Sequence, residues 1–156
     1  LNQIYATQSF TPIRHMTRPT PFNSFMWSVT TETATGFYHG HVSLLHTKPS
    51  KFSYQEKHAL PQDWKTNKLA QQLVNLTNGY YTIKRTENPS VIILEDLRFG
   101  TFKTTKEASS IFSYTLQQDR QGKTGFKMNR SQVENPWPAL KKIYKWGISG
   151  DDSENI

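Results

Sequence analysis

The amino-acid sequence predicts an α+β fold, in which a mainly antiparallel β-sheet of about five strands carries two or three short helices. Three observations favour this fold class. Apolar and polar residues alternate in several short segments, as they do in strands. Short turns join neighbouring segments, which is typical of antiparallel pairs. Aromatic residues make up 13% of the 156 residues, as expected for a chain with a hydrophobic core.

The first 22 residues are expected to form a connector from a preceding segment to the folded body. Residues 1–10 are compatible with a short helix. Residues 11–22 contain three prolines: Pro12, Pro19 and Pro21. Proline fixes φ and lacks a backbone donor, so this stretch is predicted to be neither helix nor central strand. A single α+β domain is then expected over residues 23–149, followed by a flexible acidic tail at 150–156.

The first two strands are predicted to form a hairpin. Phe25, Trp27 and Val29 recur at every second position, which indicates a strand with a strongly apolar face. The turn is expected at residues 32–36, and the second strand at residues 37–46.

A short amphipathic helix is predicted after a polar, irregular stretch at residues 48–65. Asn67 is a suitable N-cap, and Gly79 is suited to the left-handed C-terminal cap. The apolar stripe of the helix repeats at i, i+4 and i+7 and consists of Leu69, Leu73 and Leu76.

The rest of the chain is expected to add three strands, a loop and a closing helix. The loop is predicted at residues 119–128, which are polar and contain glycine. The helix is expected to begin near Pro136 and to end at Gly147. The three strands are predicted at residues 80–87, 91–99 and 111–116.

Composition narrows the functional classes. The absence of cysteine excludes disulfides, thiolate zinc sites and a cysteine nucleophile. No apolar run approaches the ~20 residues of a membrane span. The net charge of +7 is compatible with nucleic acid, an anionic lipid surface or an acidic protein as partner. The RNP-type aromatic pattern is missing, and no nucleic acid partner is expected. Basic residues concentrate only at Lys141, Lys142 and Lys145.

His39 and His41 are the candidate metal ligands. Residues two apart on a strand point to the same face, so both imidazoles can reach one metal ion. His46 or His58 is an option for a third ligand. The alternative is that both side chains lie on a half-exposed strand face without a metal, and no cofactor is expected in this fragment.

Asp96 and Arg98 end the most hydrophobic predicted strand, and Gly100 follows them. One interpretation is structural: an ion pair of Asp96 or Glu95 with Arg98 or with a lysine of a neighbouring strand, next to a bulge or a close backbone approach at Gly100. The other is an acid/base role for paired carboxylates. No second partner for that chemistry is evident in the sequence.

Several of these residues, in this order, resemble the soluble carboxyl-terminal part of the bacterial predicted membrane-bound metal-dependent hydrolases. The matching elements are Pro19-Thr20-Pro21-Phe22-Asn23, Trp27, Gly36-Phe37-Tyr38, Asp96-Leu97-Arg98-Phe99-Gly100 and Trp146-Gly147. The resemblance covers residues 10–150. It implies a parent protein in the inner membrane of a bacterium, and it leaves open on which side of the membrane this chain lies.

The resemblance also implies where chemistry would lie. The family's presumed metal-binding histidines belong to its membrane-embedded part, outside this sequence, so a divalent metal is an option only for the parent. The matching positions Asn23, Trp27, Asp96, Arg98 and Gly100 are candidates for a functional surface or a structural core.

The expected function is that of a non-catalytic accessory domain, which contacts the membrane-spanning part of its parent and is compatible with an anionic lipid surface. Two alternatives stay open: a metal-binding hydrolase domain that uses His39 and His41, and a basic nucleic-acid-binding module.

Overall fold

A computed structural model describes residues 9–20, 24–46, 48, 50–103, 108–130 and 137–150. These residues form two four-stranded antiparallel sheets and two α-helices. The antiparallel α+β character is therefore confirmed, whereas the expected number of about five strands is too low. The chain divides into two compact units, the first made of Leu1–Gln55 and Gln132–Ile156 and the second of Glu56–Ser131. The single domain over 23–149 stays a prediction.

The elements, in chain order, are β1 (Arg14–Pro19), β2 (Met26–Glu32), β3 (Gly36–Ser43), β4 (Ser53–Glu56), α1 (Lys68–Leu76), β5 (Tyr81–Arg85), β6 (Val91–Lys103), β7 (Ala108–Gln118), β8 (Thr124–Arg130) and α2 (Trp137–Ser149). No helix of the described segments has the length and apolar character that a bilayer crossing requires.

The first unit contains the sheet β1-β2-β3-β4 and helix α2. The hairpin of β2 and β3 is confirmed, with Val29 opposite Gly40. Residues 14–19 of the predicted connector form β1, an edge strand, which agrees with the expectation that no central strand lies there; the role of this stretch as a connector stays a prediction. Pro19 is tolerated there because β1 is an edge strand, where a missing backbone donor costs little. The stretch expected to be irregular holds β4, since Ser53–Glu56 adds to the opposite edge.

The second unit contains the sheet β5-β6-β7-β8 and helix α1. The predicted cap of α1 is confirmed, because Asn67 Oδ1 accepts a hydrogen bond from the Ala70 amide at 3.0 Å. Gly79 follows the helix with a φ of 77°, which an L side chain rarely adopts. The core beneath the helix consists of Trp64, Ala70, Leu73, Ile83, Ile92, Leu94, Tyr114 and Leu116.

The last strand of the second unit corrects another prediction. Residues 119–128 were expected to form a loop, but β8 covers Thr124–Arg130 and pairs with β7 along its full length. Its Phe126 and Met128 alternate with polar neighbours, which is the two-residue period of a strand. Most of its side chains are exposed because it forms an edge of the sheet, and this hides the pattern in a polar segment.

We expect Gly36→Ala to lower the free energy of unfolding by about 1–3 kcal/mol, because β3 leaves no room for a side chain at this position. A Cβ atom at Gly36 would overlap the Gln55 carbonyl oxygen and lie 2.6 Å from Cε2 of Tyr54. Urea denaturation followed by tryptophan fluorescence measures the change. The matched control is Gly125→Ala, where no atom lies within 4 Å of the added carbon. Equal stabilities of the two variants would contradict the close approach at Gly36.

Candidate functional site

The end of β6 holds a charged pair formed by Asp96 and Arg98. The Asp96 side chain is fully buried, and that of Arg98 is 14% exposed. Arg98 Nη2 donates to Asp96 Oδ2 at 2.7 Å, and Nε donates to Oδ1 at 3.0 Å. The Arg98 amide adds a bond to Oδ1 at 3.1 Å. The prediction that Arg98 is held by a carboxylate is therefore confirmed, and the geometry is the strong two-pronged one.

The electrostatics of this pair extend to Tyr114 on the adjacent strand β7. The hydrogen bond with Asp96 raises the pKa of the Arg98 guanidinium, and burial only partly opposes this shift. Burial raises the pKa of Tyr114, and the negative charge of Asp96 raises it further. Arg98 and Tyr114 therefore keep their protons at neutral pH. The positive charge of Arg98 is balanced by Asp96 inside the unit.

The two consecutive carboxylates of β6 do not form an acid/base pair. Successive strand residues point to opposite faces, so Glu95 lies on the other side of the sheet from Asp96. Glu95 is also buried, and its Oε1 lies 3.0 Å from Nζ of Lys84 on β5. Each carboxylate has its own cation, which is the structural alternative that the sequence left open.

Gly100 marks an irregularity in the pairing of β6 with β7. The register shifts between Asp96 and Thr101, and Gly100 has a φ of 81°. This confirms the bulge predicted at Gly100. The bulge bends the strand directly after the charged pair and places Phe99 against Phe112, with ring centroids 5.0 Å apart.

The other candidates from the family resemblance lie elsewhere. Asn23 is outside the described residues. Trp27 belongs to the first unit, is half-buried, and donates from Nε1 to the Ser24 carbonyl at 3.1 Å. Asp96, Arg98 and Gly100 belong to the second unit and are adjacent in one strand end.

His39 and His41 both lie on β3, in the first unit. Nδ1 of His39 is 3.1 Å from the Thr30 hydroxyl on β2. Burial lowers the pKa of His39 to about 4, although a hydrogen bond with Gln55 raises it in part. Burial lowers the pKa of His41 to about 4 as well. Both imidazoles are therefore neutral at pH 7 and built into the sheet.

The two suggested third ligands make contacts of their own. Nε2 of His46 lies 2.9 Å from the Trp146 carbonyl oxygen, and Nε2 of His58 lies 3.7 Å from a carboxylate oxygen of Glu56. Among the described residues, no group of three or more histidine, aspartate or glutamate side chains is arranged to hold a metal ion.

A surface that the sequence interpretation missed covers one face of β7, β8 and the end of β6. It combines aromatic rings with guanidinium groups, and we call it the aromatic–arginine face. Arg98 lies over the ring of Phe99 at 5.3 Å, and Arg130 over that of Phe112 at 5.8 Å. Phe126 is 54% exposed and Met128 58% exposed. Its members are Arg98, Phe99, Phe112, Phe126, Met128 and Arg130. In the sequence, the alternation of Phe126 and Met128 with polar residues was the one sign of a strand that contributes to this face.

Comparisons of the chain with protein-family models, curated proteins and solved structures find no match. The family resemblance of the sequence therefore stays a prediction, and the function has to be argued from the geometry.

Replacing Asp96 by alanine is expected to destabilise the fold by about 1–3 kcal/mol, because Arg98 would lose its buried partner. Chemical denaturation of the wild type, Asp96→Ala, Arg98→Met and the double variant forms a complete mutant cycle. The double variant should lose less than the sum of the two single losses, since it leaves no orphaned charge. Additive losses would mean that the two side chains do not stabilise each other.

The buried histidines predict a loss of stability in mild acid. The unfolded chain binds a proton near pH 6.5, whereas the folded chain resists protonation until about pH 4. Stability therefore falls as the pH falls from about 6.5 towards 4, by about 2 kcal/mol for His39 between pH 7 and pH 5. Urea titrations at several pH values measure this slope. His39→Gln should flatten it, whereas His15→Gln, at an exposed position of β1, should leave it unchanged. If the slope of His39→Gln equals that of the wild type, the buried His39 is not a cause of the acid destabilisation.

Proposed function

We propose that this chain is a non-catalytic accessory domain of a multi-span inner-membrane protein of a bacterium, of the kind that the predicted metal-dependent hydrolases represent. The chain works by binding the membrane-spanning part of its own parent. Any hydrolysis by the parent would use a divalent metal held outside this chain. The observation that carries the proposal is the aromatic–arginine face of the second unit, where Phe126, Met128 and Arg130 are exposed.

The composition of this face favours a protein partner. Aromatic residues, methionine and arginine are the residue types enriched at the centres of protein interfaces. Phe126 and Met128 present large apolar side chains to solvent on the same strand as the exposed Arg130, which lies over the half-buried Phe112. Exposed apolar side chains close to a guanidinium group are typical of a docking site.

The backbone of β8 supports the same role. Within the described residues β8 pairs with β7 alone, so its outer edge has backbone groups available for another strand. An extended segment of a partner can add to such an edge, with side chains reaching the apolar face. Lys127 and Arg130 on β8 favour a segment that carries acidic residues.

The contacts of the ionisable side chains favour a binding role over catalysis. Asp96 and Arg98 neutralise each other, Glu95 is paired with Lys84, and His39 is hydrogen bonded inside the first sheet. Each of these contacts stabilises the fold.

A metal-binding role for His39 and His41 is the second candidate, because neutral imidazoles on one strand face are in the form that binds metals. The test is elemental analysis of the purified chain after incubation with Zn²⁺, Mn²⁺ or Ni²⁺ and exhaustive dialysis. We expect no stoichiometric metal. Stoichiometric retention that is lost in His39→Ala but kept in the control His15→Ala would replace our proposal with the metal-dependent one.

Site-specific photo-crosslinking in the full-length parent tests the binding role. A crosslinker at Phe126 is expected to join this chain to the membrane-spanning part, whereas one at Ile13, an exposed apolar position of the first unit, should do so far less. Phe126 crosslinking that remains unchanged in a Met128→Asp and Arg130→Glu background would show that the aromatic–arginine face is not the contact. Crosslinking from Ile13 alone would have the same meaning.

A further inference from the structure

The outward side of α2 combines apolar and cationic side chains, and it belongs to the first unit, whereas the aromatic–arginine face belongs to the second. We call it the α2 outer face. Its members are Trp137, Lys141, Lys142, Tyr144, Lys145 and Ile148.

Contacts on the opposite side of the helix fix this orientation. Trp146 is 1% exposed, and its carbonyl oxygen lies 2.9 Å from Nε2 of His46. Ser43 on β3 donates from Oγ to the Gly147 carbonyl at 2.6 Å. Gly147 is buried against Met26, where a Cβ atom would overlap the thioether sulfur. These contacts hold Trp146 and Gly147 inward, so the residues half a turn away point to solvent.

The apolar members of the α2 outer face form a stripe. At about 100° per residue, Trp137, Tyr144 and Ile148 fall within roughly 40° of one another around the helix axis. Trp137 is 70% exposed and Ile148 71% exposed, while Tyr144 is half-buried. An open depression of about 510 Å³ lies at the start of the stripe, lined by Trp137, Pro138, Lys141 and Tyr144.

Lysines lie to one side of this stripe: Lys141 and Lys145 are within about 80° of Trp137, and Lys142 lies further around the helix. Lys141, Lys142 and Lys145 are all exposed, and they are the densest basic cluster of the chain. The helix itself contains no aspartate or glutamate. Acidic residues follow it at positions 151, 152 and 154, outside the described residues. The described helix thus presents a cationic border beside an exposed apolar strip.

We infer that the α2 outer face docks on an anionic phospholipid surface, with the helix axis parallel to the bilayer plane. Tryptophan and isoleucine would enter the boundary between headgroups and acyl chains, and the lysines would extend to the phosphates. A helix of 13 residues, about 20 Å long, is too short to span a bilayer but long enough to lie along it. The inference deepens the proposed accessory function, on which it rests, by naming a second contact of the same domain.

Lipid is favoured over nucleic acid by the arrangement of the residues. Nucleic acid binding is dominated by phosphate contacts and by bases stacked on aromatic rings. An exposed isoleucine in line with Trp137 contributes to neither of these interactions. Its transfer from water into the acyl region of a bilayer is favourable.

Vesicle co-sedimentation of the whole chain tests the inference. The probes are sucrose-loaded vesicles of phosphatidylglycerol and phosphatidylcholine in equal amounts, compared with vesicles of phosphatidylcholine alone. The triple variant Lys141→Gln, Lys142→Gln and Lys145→Gln should partition into the anionic vesicles roughly 100-fold more weakly than the wild type at low salt. Ile148→Ser should weaken partition about tenfold, since it removes apolar contact without changing charge.

A second triple variant controls for net charge. Lys65→Gln, Arg120→Gln and Lys123→Gln removes the same charge from exposed positions of the second unit, and it should bind the anionic vesicles like the wild type. All variants carry exposed substitutions, and circular dichroism checks that each keeps its fold.

Equal weakening by both triple variants would overturn the inference, because it would reduce the binding to nonspecific charge. So would equal partition into anionic and neutral vesicles. Tight binding of a single-stranded oligonucleotide that needs the α2 lysines, without vesicle binding, would identify nucleic acid as the ligand instead. A failure here leaves the crosslinking from Phe126 untouched. Stoichiometric metal in the purified chain would overturn the proposed function but not the vesicle binding.

Discussion

A carboxylate that is fully shielded from water needs a cation, and in the second unit this constraint organises the end of the central strand. Asp96 has no exposed surface, and Arg98 supplies both the charge and the hydrogen bonds that its oxygens require. Because the two residues are two positions apart on one strand, the ion pair forms within β6 and needs no other element. The register shift at Gly100 then turns the chain and brings Phe99 to Phe112. The aromatic–arginine face thus begins where the buried charge is satisfied.

A related constraint acts in the first unit, where polar groups are also enclosed by the sheet. His39 stays neutral because burial penalises its charged form, and Thr30 on the adjacent strand occupies one ring nitrogen. At the end of β3, Ser43 satisfies a carbonyl of α2. The small Gly147 lets the helix approach Met26 closely. The side of α2 that meets the sheet is thereby decided, and so is the side that faces solvent.

The two exposed surfaces differ in chemistry, and they fit different partners. The aromatic–arginine face offers planar rings, guanidinium groups and a strand edge, which together suit a protein segment. The α2 outer face offers an indole, an aliphatic side chain and flexible lysines, which suit the layered polarity of a lipid headgroup region. Asp96, Glu95 and His39, by contrast, each have a partner within their own unit.

The sequence by itself determined the elements with strong local signals: the β2–β3 hairpin, the capped helix after Asn67, the antiparallel character and the bulge at Gly100. These rest on short-range period, on capping and on the backbone freedom of glycine, all of which are local in the chain. Only the tertiary structure decided that Pro19 and Phe126 lie in strands. Most side chains of these two edge strands are exposed or half-buried, so apolar and polar residues do not alternate clearly in the sequence. It also decided that Glu95 and Asp96 have separate cations, and that Trp137 and Ile148 point outward. These outcomes depend on packing between segments that are far apart in the sequence. The spacing of residues along the chain does not specify that packing.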